Sequence, residues 1–145
     1  MQLSKRTQYG IRALICFADA YQRGFLQARE LSQRENLPPK FLESILSALT
    51  RAKFLVSKIG ASGGYRLARP PREITLADII ARLEGKRLLD DEPDADDRTG
   101  RPGEVAIRLI QSRLTESLQK QLQKITLAEL TEQVAQQGTG QMYYI

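Results

Sequence analysis

From Ser4 onward, Tyr9, Leu14, Phe17, Ala18 and Tyr21 recur at helical spacing, and Ser4 stands where an N-cap belongs. This predicts a first amphipathic helix that stops near Gly24, with Lys5, Arg6 and Gln8 exposed at its start. A second, shorter helix is predicted over Ala28 to Glu35 with Leu31 inward, followed by a break at Asn36-Leu37-Pro38-Pro39. Proline is tolerated in the first turn of a helix, where its missing N–H would have had no partner. A third helix therefore starts around Pro39, with Phe41, Leu42, Ile45, Leu46 and Leu49 on one face and Lys40, Glu43, Ser44, Ser47 and Arg51 on the other.

The period then changes. Phe54-Leu55-Val56, the turn Gly60-Ala61-Ser62-Gly63-Gly64 and Tyr65-Arg66-Leu67 read as strand, turn and strand. Helix, turn, helix, hairpin is a winged-helix order. Thr75 with Asp78 resembles a capping box for a helix through Ile79, Ile80 and Leu83. Between Lys86 and Gly103 the residues Asp90, Asp91, Glu92, Asp94, Asp96 and Asp97 are mixed with Pro93, Gly100 and Pro102, so a weakly ordered acidic loop is expected. Its carboxylates lack the spacing of an EF-hand loop, and no metal site is expected. Beyond it, Ile107, Ile110, Leu114, Leu118, Leu122 and Ile125 step by three and four along one side of a long helix. A small domain can cover little of that stripe, so pairing with the same helix of a second copy is expected; packing on its own domain is the alternative. Thr126 with Glu129 opens a last helix through Leu127, Leu130 and Val134, expected to end at Gly138 and Gly140. The expected fold is mainly α: a winged helix-turn-helix domain over 1–85, an acidic loop over 86–103, dimerisation and final helices over 104–137, and a tail over 138–145.

Composition narrows the chemistry. The 145 residues suit one domain, and the longest apolar run, Ala13 to Ala18, is far short of the roughly twenty residues of a membrane span. No secretory leader pattern follows Met1, so a cytoplasmic protein is expected. Cys16 is the one cysteine and there is no histidine, which excludes disulfide frameworks, zinc fingers, cysteine-ligated iron–sulfur clusters and histidine acid–base catalysis. No enzyme activity is expected. Residues 1–72 hold 13 Lys/Arg against 4 Asp/Glu, a charge of +9, whereas residues 73–145 hold 9 against 13, a charge of −4. A basic half of this kind fits a polyanion, because clustered cations displace counterions from phosphates; a merely solvated basic face is the plainer reading.

The polar face of the third helix is narrow enough for a major groove, with Pro39, Lys40, Glu43 and Ser44 at its N-terminal end. Glu43 can accept from a cytosine amino group, Lys40 can donate to guanine or phosphate, and Ser44 can serve base or backbone. Ser4, Lys5, Arg6, Tyr9 and Arg51 are placed for phosphate contacts. In the wing, Ser62, Gly63 and Gly64 let the backbone approach a duplex, flanked by Lys58 and Arg66 as phosphate or minor-groove donors.

Leu3-Ser4-Lys5-Arg6, Tyr9, Arg12-Ala13-Leu14, Phe41-Leu42-Glu43, Ile45-Leu46, Leu49, Gly63 to Pro71, Glu73-Ile74-Thr75 and Leu83-Glu84-Gly85 together resemble the IscR/NsrR/CymR family of winged-helix repressors. The resemblance runs from residue 1 to about 85. It implies a homodimer on a pseudo-palindromic operator, the third helix in the major groove and the wing in the minor groove. Cluster-sensing members carry three cysteines before the dimerisation helix, and this chain has none there, so no iron–sulfur cofactor is expected. Ile59 replaces the wing arginine usual in the family, and Thr7 stands where glycine is common.

The acidic loop and the ending Met142-Tyr143-Tyr144-Ile145 make the chain most similar to the cluster-free, CymR-type branch that represses cysteine metabolism. That resemblance implies cysteine synthase as a partner, holding Met142, Tyr143, Tyr144 and Ile145, with O-acetylserine competing for the same site. A free carboxylate held by backbone N–H groups while Ile145 fills an apolar slot is reasonable chemistry; a tail folded onto the dimer is the alternative. Two other readings stay open. One is a protein-interaction regulator without DNA binding, favoured by Ile59. The other is a redox-responsive regulator acting through Cys16, which as part of an apolar helix face reads first as a small core residue.

Overall fold

The computed structural model describes residues 2–85 and 100–142. Helix α1 (Lys5–Asp19) is followed by α2 (Ala28–Glu35) and α3 (Pro39–Arg51), then strands β1 (Leu55–Lys58) and β2 (Gly64–Leu67). A 3₁₀ turn (Pro71–Glu73), α4 (Leu76–Leu83), α5 (Pro102–Lys124) and α6 (Leu127–Met142) complete the order. This is a winged helix: three helices, an antiparallel hairpin, and a helical C-terminal part.

Residues from nearly every element meet in one core. Leu14 and Phe17 of α1, Leu31 of α2, Leu42, Ile45, Leu46 and Leu49 of α3, and Phe54, Leu55 and Leu67 of the hairpin join Ile74, Ile79, Leu83 and Leu127. The last of these belongs to α6, so the final helix is rooted in the winged domain. Its attachment is also a backbone one: Leu76 N–H donates to Ile125 O (2.9 Å) and Leu127 N–H to Ile74 O (2.8 Å), around a bridge between Thr75 and Thr126.

Two helix ends and one core position differ from the pattern in the sequence. Helix α1 ends at Asp19 rather than near Gly24, because tight turn bonds take over at Ala18 and Ala20 and the chain passes Gln22 and Gly24 at φ 74° and 110°. Helix α6 continues through Gly138 and Gly140 to Met142. A glycine stops a helix by turning left-handed, and neither does so; a lone interior glycine costs only about 1 kcal/mol. Phe41, expected in the core, is 43% exposed. Residues 86–99, most of the acidic segment, and Tyr143, Tyr144 and Ile145 lie outside the described residues.

Candidate nucleic-acid interface

Helix α3 sorts its residues cleanly. Leu42, Ile45, Leu46 and Leu49 are buried, and Pro39, Lys40, Glu43, Ser44, Ser47 and Arg51 are exposed. The break before it is made by Asn36, left-handed at φ 52°, whose N–H caps α2 on Ser32 O, while buried Leu37 anchors the turn. Phe41 leaves the core row because Tyr9 of α1 meets it edge-on, ring centroids 5.5 Å apart. Tyr9 is thus half-buried between α1 and the start of α3, with the Arg12 guanidinium 5.7 Å from its ring centroid. Arg12 in turn bonds Glu35 through both its carboxylate and its main-chain carbonyl, tying α1 to the end of α2.

The start of α1 is held firmly. Ser4 Oγ accepts from Thr7 N–H (3.2 Å), and the Ser4 backbone N–H donates to Glu84 Oε1 (2.6 Å) beyond α4. Burial raises the Glu84 pKa, but the bonds from Ser4 and Thr7 outweigh it and leave the carboxyl below its ordinary value. Thr7, in place of the family's glycine, is fully buried. Ser4 therefore spends its hydroxyl on capping, while Lys5 is exposed and Arg6 half-buried beside it.

In the hairpin, Leu55 pairs with Leu67, Val56 with Arg66, Ser57 with Tyr65 and Lys58 with Gly64. Cross-strand partners share a face, so buried Leu55 and Leu67 mark the inner side, and Val56, Lys58 and Arg66 stand on the outer one. Ile59, at the tip, is 99% exposed, and Ser62 is exposed beside it. Gly63 is buried, and a Cβ there would lie 2.1 Å from Lys58 O. Gly64, at φ 139°, lies against Leu26 O. Gly63 lets the wing close on itself and Gly64 lets it close against Leu26, roles the sequence did not reveal. Phe25, Leu26 and Gln27 were also missed. Leu26 exchanges two 2.8 Å backbone bonds with Tyr65, and Gln27 Nε2 donates to Ala61 O (3.2 Å). The available signal was an aromatic residue in a connection outside any helical pattern.

Helix α5 contains no buried residue. Ile107, Ile110 and Leu114 are 56%, 57% and 66% exposed, whereas Leu118, Leu122 and Ile125 are half-buried. Leu109 and Val134 are exposed too, and the stripe had omitted both as contact candidates. Cys16 is buried in α1, donating to Glu35 Oε1 at 3.3 Å. Burial first, then the hydrogen bond and negative charge of Glu35, push its pKa from 9.0 to about 12. The reactive thiolate is suppressed, which removes support for a redox switch at this residue.

Residues 3–133 match the Rrf2 family, described as iron-dependent transcriptional regulators. The chain belongs to the Rrf2 family. CymR of Bacillus subtilis, an HTH-type transcriptional regulator, is 30% identical across 100% of both chains. The solved structure of CymR (YrzC), the global cysteine regulator of B. subtilis, has a TM-score of 0.78 and 30% identity, covering 91% of this chain and 97% of that one. IscR of T. potens follows at a TM-score of 0.74 and 28% identity, covering 92% and 88%. This Rrf2 protein is thus a DNA-binding transcriptional regulator, not an enzyme, and no helix among its described residues is long and apolar enough to cross a membrane. Iron held by three cysteines does not fit it. The chain has one cysteine, buried in α1 with its proton retained, and no group of three or more metal-ligating side chains occurs among the described residues.

Proposed function

We propose that this regulator is a homodimeric repressor of cysteine or sulfur genes that works without an iron–sulfur cluster, its operator affinity tuned by cysteine synthase bound at Ile145. The observation that carries the DNA part is the exposed row Lys40, Glu43, Ser44, Ser47 and Arg51 above the buried row of α3. Such a ridge has the width of a major groove, and Pro39 presents its N-terminal end to base edges and phosphates. Lys5, Arg6 and Arg51 supply phosphate contacts, and Lys58 takes the place in the wing that Ile59 leaves without charge. Ile107, Ile110 and Leu114 meet their copies across a twofold axis.

The gene class rests on full-length similarity to CymR, and the synthase on the apolar segment Met142-Tyr143-Tyr144-Ile145. O-acetylserine then relieves repression by competing with the tail. Selecting bound duplexes from a random pool tests the regulator: it should return an inverted repeat, and recovery of no preferred sequence would end the operator reading. Deleting Met142 to Ile145 tests the partner separately; unchanged binding to cysteine synthase removes that claim and leaves DNA binding standing.

A further inference from the structure

The outer face of the wing carries two like charges close together. Val56 pairs with Arg66 and Lys58 with Gly64, which makes Lys58 and Arg66 diagonal neighbours on one face. Like charges so placed repel, and both side chains are long, exposed and rich in rotamers. Left alone, they would spread apart in solvent. A half-buried aromatic ring prevents this: the Arg66 guanidinium carbon lies 4.8 Å, and the Lys58 ammonium 5.6 Å, from the centroid of Phe25. An aromatic ring attracts cations through its quadrupole at these distances.

The ring is well mounted for the purpose. Leu26, its neighbour, is bonded twice to Tyr65 of β2, and Gln27 reaches Ala61 in the wing turn, so the backbone on the C-terminal side of Phe25 is fastened to the hairpin carrying the two cations. Gly64 makes that fastening possible, since a Cβ there would sit 2.4 Å from Leu26 O. Phe25 thus moves with the wing.

We propose that Phe25 is a positioning residue for nucleic-acid binding, gathering Lys58 and Arg66 into one focus of positive charge for the phosphate backbone of a duplex. The inference rests on the wing contacting DNA. Two cations ordered beforehand lose less freedom on binding than two free ones, so the ring raises affinity without touching the duplex. Its effect is on backbone contact and is therefore the same for every sequence.

The test uses the full-length chain and fluorescence anisotropy with a labelled random-sequence duplex. Lys58→Gln with Arg66→Gln should weaken binding and flatten its salt dependence. Phe25→Leu, which keeps apolar bulk, should weaken it about fivefold, and Phe25→Tyr should stay within about twofold of the parent. In the Lys58→Gln/Arg66→Gln background, Phe25→Leu should cost nothing further. An equal loss in both backgrounds would overturn the proposal, since Phe25 would then be acting through folding of the loop. So would a Phe25→Leu chain that binds like the parent while the double glutamine variant does not. If the glutamine variant also binds like the parent, or if the parent binds no duplex, the wing or DNA reading itself fails and the proposal falls with it.

Discussion

A methyl group at Gly63 would sit 2.1 Å from the carbonyl oxygen of Lys58, and one at Gly64 2.4 Å from that of Leu26. Both neighbours are backbone and cannot swing away. At Gly64 the φ of 139° adds strain for any L side chain. Gly64→Ala should therefore lower stability by ~2 kcal/mol or more, read as a lower urea midpoint at unchanged slope. A variant as stable as the parent would mean that the wing does not close against Leu26. Cys16 gives a second prediction, in pH. Its folded pKa of about 12 exceeds the ordinary 9.0, so the folded state keeps a proton that the unfolded chain releases. Its contribution to stability is intact below pH 9 and falls by ~1 kcal/mol per unit as pH rises toward 12. Comparison with Cys16→Ala isolates it: the difference in unfolding free energy between the two chains should shrink over that window. A difference independent of pH would mean that Cys16 titrates normally.

Between elements, α5 is a helix without a buried residue attached to a well-filled core. Its apolar row at Ile107, Ile110 and Leu114 is 56 to 66% exposed, too large to leave in water on a stable helix this long. Ile110→Glu with Leu114→Glu should leave helix content and the folding of residues 2–85 intact while converting a dimer into a monomer by sedimentation. A chain that stays dimeric would move the interface elsewhere. This row was legible in the sequence because repeats of three and four residues survive any arrangement of neighbours. So were the two faces of α3, since Leu42, Ile45, Leu46 and Leu49 must be buried together. Legibility ended where the answer depended on contacts between distant segments. Tyr9 pulls Phe41 outward, Leu26 imposes glycine at 64, and Glu84 ties α4 to the start of α1; no local spacing encodes any of the three. Gly138 and Gly140 misled because glycine marks a helix end only when the backbone turns left-handed there.

At the scale of the molecule, charge and symmetry make one prediction together. The +9 of residues 1–72 lies wholly within the winged domain, and the −4 of residues 73–145 is split evenly, −2 over 73–85 and −2 over 86–145. If a dimer joins through α5, each protomer brings a basic winged domain. Such an assembly approaches a duplex with its two winged domains, and contacts to about 6–10 phosphates would cost 10³- to 10⁵-fold in affinity between about 50 and 200 mM salt. Lys5→Glu with Arg6→Glu should weaken every sequence alike, whereas changing Glu43 should relax preference at one position in each half-site by about 1–3 kcal/mol. Two copies of α3 read the same face of B-DNA only when separated by about 34–36 Å, one helical turn, or a multiple of it. Selected duplexes should therefore carry inverted half-sites with centres about 10 base pairs, or a multiple of that, apart. Inserting about five base pairs between them turns one half-site to the far side of the duplex and should abolish specific binding, while about ten should restore much of it. Direct repeats, or indifference to the insertion, would mean that the two ridges are not related by a twofold axis.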